Sequence, residues 1–124
     1  MVMGKMNKRI LIVDDSSIMR KMVRKTLETG GHVIVGEAKD GKEAVELYPL
    51  CSPDMVTMDI TMREMDGFAA AREILNHDKH ARIIFLSNLN EDTYSDEAKN
   101  LGGIGYVNKH NSKDILTLIS EIET

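Results

Sequence analysis

A single cysteine, Cys51, is all that this chain carries, which excludes an internal disulfide framework and fits a reducing compartment. No apolar run approaches the roughly 18 residues that a membrane-spanning helix needs. Met1 to Lys8 is too short and too polar for a signal peptide. These absences point to a cytoplasmic protein with no membrane partner. An excess of basic charge is missing as well: 16 Lys and Arg stand against 20 Asp and Glu, a net charge of -4. The chain therefore lacks the positive field of a nucleic-acid binder, and no nucleic-acid partner is expected. Repeats, linkers and low-complexity tracts are also lacking. The four histidines show no close-set ligand pattern beyond His77 and His80, and that pair falls in a polar stretch near an expected helix end, where solvated surface is the plainer reading.

At 124 residues the chain is long enough for one domain that buries roughly two thirds of its unfolded surface. Residues 1–7 are expected to form a flexible N-terminal segment and 8–124 a single domain with no output module. Ile10 to Val13 is a short, continuous, β-branched run that reads as a buried strand. Ser16 or Ser17 then caps a helix with Met19, Met22, Val23, Thr26 and Leu27 on one face, ended by Gly30-Gly31. Of the nine methionines, Met1, Met3 and Met6 belong to the ragged start, and Met19 and Met22 read as flexible core filler.

The same beat repeats. Val33 to Glu37 is a strand, Asp40-Gly41 opens a helix carrying Ala44, Val45 and Leu47, and Pro49 to Pro53 is expected to be a link. Met55 to Met58, Arg82 to Leu86 and Ile104 to Asn108 read as further strands. Helices are expected from about Phe68 to Leu75, from about Glu91 to Leu101 before Gly102-Gly103, and from Ser112 with Ile115, Leu118, Ile119 and Ile122 at helical spacing. Five strand-helix units with short connections predict an α/β fold, a doubly wound parallel sheet with helices on both faces.

Charge gathers where strands end: Asp14-Asp15 after the first, Asp59 after the third, Lys109 after the fifth. Strand carboxyl ends line one edge of an open parallel sheet, so these groups converge on one crevice. The hydroxyl of Ser87, after the fourth strand, joins them. An acid at a strand end is by itself more often a helix cap or a solvated charge. Three carboxylates, a hydroxyl and a lysine in chain order on one edge are harder to assign to chance.

With Asp14-Asp15, Asp59 within Asp59-Ile60-Thr61-Met62-Arg63-Glu64-Met65-Asp66-Gly67, Ser87, Tyr106 and Lys109 in place, the chain resembles the receiver domains of two-component response regulators. The likeness is closest to the single-domain chemotaxis regulators and covers nearly the whole chain. It implies a five-stranded flavodoxin-like sheet of order 2-1-3-4-5. Converging carboxylates raise one another's pKa unless a cation lies between them, and oxygen-only ligands suit Mg2+. The resemblance implies Asp15 and Asp59 as direct Mg2+ ligands, Asp14 acting partly through water, and Thr61 contributing its backbone carbonyl.

It further implies that Asp59 is the phosphoacceptor, its carboxylate attacking phosphorus in line while Lys109 neutralises the equatorial oxygens. The donor would be a phosphohistidine on a sensor histidine kinase, or a small donor such as acetyl phosphate. The domain would be no enzyme beyond its own phosphoryl uptake and autodephosphorylation. Ser87 would draw inward on phosphorylation, Tyr106 would follow, and the face of the fourth helix, fifth strand and fifth helix, with Tyr94, Ile104, Tyr106 and Lys113, would change affinity for an output protein such as the flagellar motor switch. A monomer is expected.

Several positions depart from the family pattern. Arg63 stands where proline is usual, which removes a φ restraint beside the site. Asn88 replaces a small residue on the route to the phosphoryl group. His110 replaces the proline that makes a cis Lys-Pro bond; a non-proline cis bond costs about 3 to 4 kcal/mol, so a trans Lys109-His110 bond is expected. Thr61 and Leu89 cannot ionise to direct a water, which predicts slow to moderate self-hydrolysis. The alternative is a pseudo-receiver, a protein-binding module with impaired phosphorylation. A haloacid-dehalogenase-type phosphohydrolase would want Asp at position 61, and a flavodoxin-like cofactor binder would want a phosphate-cradling loop in place of Asp14-Asp15.

Overall fold

Strands and helices alternate five times in the computed structural model, which describes residues 7–60, 62, 66–87, 95–108 and 113–122, leaving aside the side chains of 95, 108, 113 and 122. In chain order these are β1 (Arg9–Val13), α1 (Ser17–Thr29), β2 (Val33–Ala38), α2 (Gly41–Cys51), β3 (Met55–Asp59), α3 (Gly67–His77), β4 (Ile83–Ser87), α4 (Ser95–Asn100), β5 (Gly105–Asn108) and α5 (Lys113–Ile122). The strands pair in parallel in the order β2-β1-β3-β4-β5. This is the doubly wound, flavodoxin-like sheet expected. The chain moves outward from β1 to β2, then returns past β1 to β3, so the connections leave β1 and β3 in opposite directions and open a crevice at their carboxyl ends.

Strand alternation sends successive side chains to opposite faces, and two cores result. Leu11, Val13, Val56, Met58, Ile83 and Phe85 pack against α2, α3 and Ala98 of α4, with the Phe68 and Phe85 rings 5.1 Å apart and tilted. Ile10, Ile12, Met55, Ile84, Leu86 and Val107 pack against Val23 and Leu27 of α1 and Ile115 and Ile119 of α5. Burying both faces explains why Ile10–Val13 of β1 and Ile83–Leu86 of β4 are unbroken apolar runs. No helix among the described residues is long and apolar enough to cross a membrane.

Helix starts follow local chemistry. Ser16, Asp40 and Asp66 each accept a hydrogen bond from the backbone N–H three residues on, at Met19, Glu43 and Ala69, satisfying donors that a first turn leaves orphaned. Glu43 reciprocates through Oε1, which accepts from the Lys39 N–H at 2.8 Å. After α1 and α4 the chain turns at Gly31 and Gly102, both at positive φ, a conformation that glycine adopts without Cβ strain.

Two expectations need correction. Pro49 does not open a link: it lies inside α2, which continues to Cys51 and closes with Ser52 in the left-handed conformation, its N–H donating to the Tyr48 carbonyl. Proline removes one donor and disfavours helical geometry in the residue before it. Here that residue is Tyr48, buried and held by a 2.7 Å hydrogen bond from its hydroxyl to Asp78 Oδ2 beyond α3. Met22 is not core filler either. The buried stripe of α1 centres on Val23 and Leu27, and Met22, about 100° round the helix from Val23, is 49% exposed. For the fourth helix, the described part begins at Ser95, and residues 91–94 lie outside the described residues.

Candidate functional site

The register of the central strands brings the acids together. Val13 of β1 pairs with Met58 of β3, so the next residue on each strand is an aspartate, Asp14 and Asp59. Both are buried, and Asp15 beside them is exposed. One carboxylate oxygen from each of Asp14, Asp15 and Asp59 lies within 4.8 Å of the other two. The crevice thus has two sheltered acids and one open to solvent.

The two buried acids are set in place by bonds from several elements. Asp14 donates its N–H to the Ala38 carbonyl of β2 at 3.0 Å, and its Oδ1 accepts from the Ser16 N–H at 2.9 Å. The latter closes an Asx-type turn that delivers Ser16 to its capping role. Asp59 pairs with Leu86 of β4, and the chain beyond it is tied on both sides: Ile60 N–H donates to Leu86, and Gly67 N–H donates to the Ile60 carbonyl at 2.8 Å. Gly67 is needed here because a Cβ would collide with the Asp59 carbonyl oxygen and lie 2.8 Å from Ile60 Cα. The start of α3 is therefore pressed directly against the backbone of Asp59.

Ser87 ends β4 in a buried position. Tyr106 pairs across from Phe85 and packs against the α2–α3–α4 core. By alternation along β4, Ser87 and Phe85 share a face, so Ser87 and Tyr106 lie on the same side of the sheet, two register positions apart. The Tyr106 hydroxyl is buried and has no hydrogen-bond partner among the described residues. A cleft of about 260 Å³ runs between α4 and β5, lined by Ala98, Lys99, Gly103, Ile104, Gly105 and Tyr106.

Thr61, Arg63, Asn88, Leu89, Tyr94, Lys109 and His110, with the Lys109-His110 peptide bond, lie outside the described residues, as does the side chain of Lys113. Sequence reading missed a cationic support behind the acids. Arg20 donates from its η1 nitrogen to the Asp14 carbonyl at 2.7 Å and from Nε to Glu37 Oε1 at 3.2 Å. Arg24 donates from Nε to Glu37 Oε2 at 2.7 Å. That bond is the main cause holding the Arg24 guanidinium above its usual range, against some opposing desolvation. The only signal in the sequence was a pair of arginines one helical turn apart, which reads equally well as a solvated face.

The donor set fits a hard divalent cation. All three groups are carboxylates, with no His or Cys among them. Three carboxylate oxygens within 4.8 Å of one another are near enough for one small cation to be shared among them. The exposed position of Asp15 leaves one side for water and for an incoming anion. No other cluster of this kind occurs among the described residues.

Comparison with known proteins agrees with the geometry. Residues 10–120 match the family model for the response regulator receiver domain. The chain is similar to the chemotaxis protein CheY of Thermotoga maritima, with 43% identity over 104 residues, covering 84% of this chain and 87% of that protein. It is similar also to the chemotaxis protein CheY of Bacillus subtilis, with 46% identity over 101 residues, covering 82% and 84%. Among solved structures, the CheX–CheY–BeF3–Mg2+ complex from Borrelia burgdorferi superposes with a TM-score of 0.87 at 31% identity, over 95% of this chain and 89% of that one. Sheet order, acidic crevice and likeness agree, and the chain belongs to the receiver domains of response regulators.

Proposed function

We propose that this domain is a phosphorylation-activated switch of the chemotaxis type that takes a phosphoryl group onto Asp59 from a sensor histidine kinase. The observation that carries the reading is the convergence of Asp14, Asp15 and Asp59 at the ends of β1 and β3. Asp14, Asp15 and Asp59, with the Thr61 carbonyl, would hold Mg2+, which would neutralise acids that otherwise repel both one another and an incoming phosphate.

The protein's own groups do the rest. An Asp59 carboxylate oxygen forms the new bond to phosphorus as the donor's nitrogen–phosphorus bond breaks, and the bonding pair leaves with the imidazole, so no proton need be taken from Asp59. Burial of Asp59 and its fixed backbone hold that oxygen in place for in-line attack. Lys109 balances charge on the phosphoryl oxygens, and the Ser87 hydroxyl donates to one of them. Water later cleaves the acyl phosphate and releases inorganic phosphate. The domain turns over only on itself and is not an enzyme acting on a separate substrate.

The readout is a population shift. Ser87 and Tyr106 share one face of the sheet, the Tyr106 hydroxyl is buried, and Tyr106 lines the α4–β5 cleft. Movement of Ser87 toward the phosphoryl group couples through Tyr106 to the α4–β5–α5 surface, changing its affinity for an output protein such as a flagellar motor switch.

The test is chemical. With Mg2+ and acetyl phosphate, intact mass should rise by one phosphoryl group on Asp59, and Asp59→Asn or chelation with EDTA should abolish the gain. Absence of uptake in the wild-type protein, together with partner binding indifferent to Asp59→Asn, overturns the switch and leaves a pseudo-receiver binding module.

A further inference from the structure

Arg20, the fourth residue of α1, reaches back to the end of β1, with a side chain only 19% exposed. Its two hydrogen bonds go to groups with different roles. One reaches the carbonyl of Asp14, the oxygen of the peptide that joins Asp14 to Asp15; the other reaches the carboxylate of Glu37 on β2. Glu37 is shared, since its second oxygen accepts from Arg24. Glu37 is thereby fixed by two guanidinium groups one helical turn apart, and in turn fixes the planar fork of Arg20.

The Asp14 N–H and Oδ1 are already committed, to Ala38 and Ser16. The carbonyl is the remaining backbone handle, and rotating that peptide would swing Asp15, the exposed acid, away from Asp14 and Asp59. We propose that Arg20, oriented by Glu37, is a positioning residue for the divalent-cation site: it locks the Asp14–Asp15 peptide so that Asp15 faces the two buried acids. This inference rests on the proposed Mg2+ site.

A positioning role and a purely electrostatic one have opposite signs. Arg20 carries positive charge toward a cation site, so Coulomb's law alone says that removing it should tighten Mg2+. Groups that hold first ligands in place typically cost about 10-fold or more in metal affinity when lost. Calorimetric titration of the full chain with Mg2+ is therefore expected to show Arg20→Met binding about 10-fold more weakly than wild type. Glu37→Gln should weaken binding less, and should add nothing in the Arg20→Met background.

A metal-free readout accompanies the titration. In EDTA, the Asp14 carbonyl carbon and the Asp15 amide should shift in NMR spectra of both variants, while the Asp59 amide stays in place. Unchanged or tighter Mg2+ binding by Arg20→Met overturns the inference, as does additivity of the two substitutions. If Arg20→Met fails to fold, Glu37→Gln decides alone, and wild-type affinity there overturns it. Should the wild-type protein show no saturable Mg2+ binding, the proposed function has failed, an outcome distinct from a variant that matches a binding wild type.

Discussion

Tyr48 and Asp78 show what one side-chain contact contributes to this fold. The Tyr48 hydroxyl donates to Asp78 Oδ2 at 2.7 Å, and Asp78 Oδ1 accepts from the His80 N–H at 2.9 Å. Burial first, and then the bond to Asp78, push the Tyr48 hydroxyl well above the ordinary tyrosine range. The same bond, and then the His80 N–H, hold the Asp78 carboxyl below the usual carboxylate range. A lowered carboxylate pKa stabilises the fold above the unfolded value of about 3.9, and that contribution is lost as pH falls through the folded one. A raised tyrosine pKa works the other way, with full effect below about pH 10 and loss above it.

Because Asp78 is only partly buried and its carboxylate stays in reach of water, Tyr48→Phe should cost only about 0.5 to 1 kcal/mol near neutrality. Urea titrations of wild type and variant should show the gap narrowing as pH is lowered below 4. A gap that stays constant would mean that the ionised carboxylate adds nothing to the bond.

Among elements, the contact between α3 and β3 matters most to the site. Asp66 caps α3, and Gly67, its first residue, lies so close to Asp59 that a Cβ would strike the Asp59 carbonyl oxygen. The obstacle is backbone that is itself pinned by hydrogen bonds to β4, so it cannot swing aside as a flexible side chain would. Gly67→Ala should destabilise the domain by about 1 to 3 kcal/mol through overpacking. It should also slow phosphoryl uptake from acetyl phosphate, because α3 and Asp59 are displaced together. Urea denaturation and intact-mass kinetics on one preparation test both halves, and a variant with wild-type values in each would show that α3 moves away without disturbing Asp59. The Pro49 turn of α2 is the counterpart at the opposite scale of strain: a helix continues through a breaker because Tyr48 is anchored from outside it.

For the whole molecule, acidic groups gather at the carboxyl edge of the sheet. Two buried carboxylates and one exposed one crowd together in a domain of net charge -4, and without a cation their repulsion works against folding. Asp14→Asn keeps an acceptor oxygen for the Ser16 N–H and removes one charge. In EDTA the variant is therefore expected to unfold at a higher temperature than wild type. Added Mg2+ should reverse the ranking: ligand linkage predicts a wild-type gain of about 2.7 kcal/mol at 100 times the dissociation constant, with little or none for Asp14→Asn. Thermal melts with and without Mg2+ check this, and equal Mg2+ stabilisation of both proteins would remove Asp14 from the site.

Much of this architecture was legible along the chain. Short runs such as Ile10–Val13 and Met55–Met58 read as buried strands by their length and β-branching, and Ser16, Asp40-Gly41, Gly30-Gly31 and Gly102-Gly103 marked helix ends because caps and left-handed turns depend on neighbours a few residues away. Acids placed just beyond such strands were bound to meet at one edge, since parallel strands all finish on the same side. Local order along the chain thus determined the elements, their alternation and the acidic edge. Only the tertiary structure decided what crosses between elements: that Met22 faces outward, that Pro49 stays helical, that Arg20 grips the Asp14 carbonyl while leaning on Glu37, and that Gly67 abuts Asp59. Those outcomes depend on distances between residues far apart in sequence, and such distances are set by packing, which no local pattern encodes.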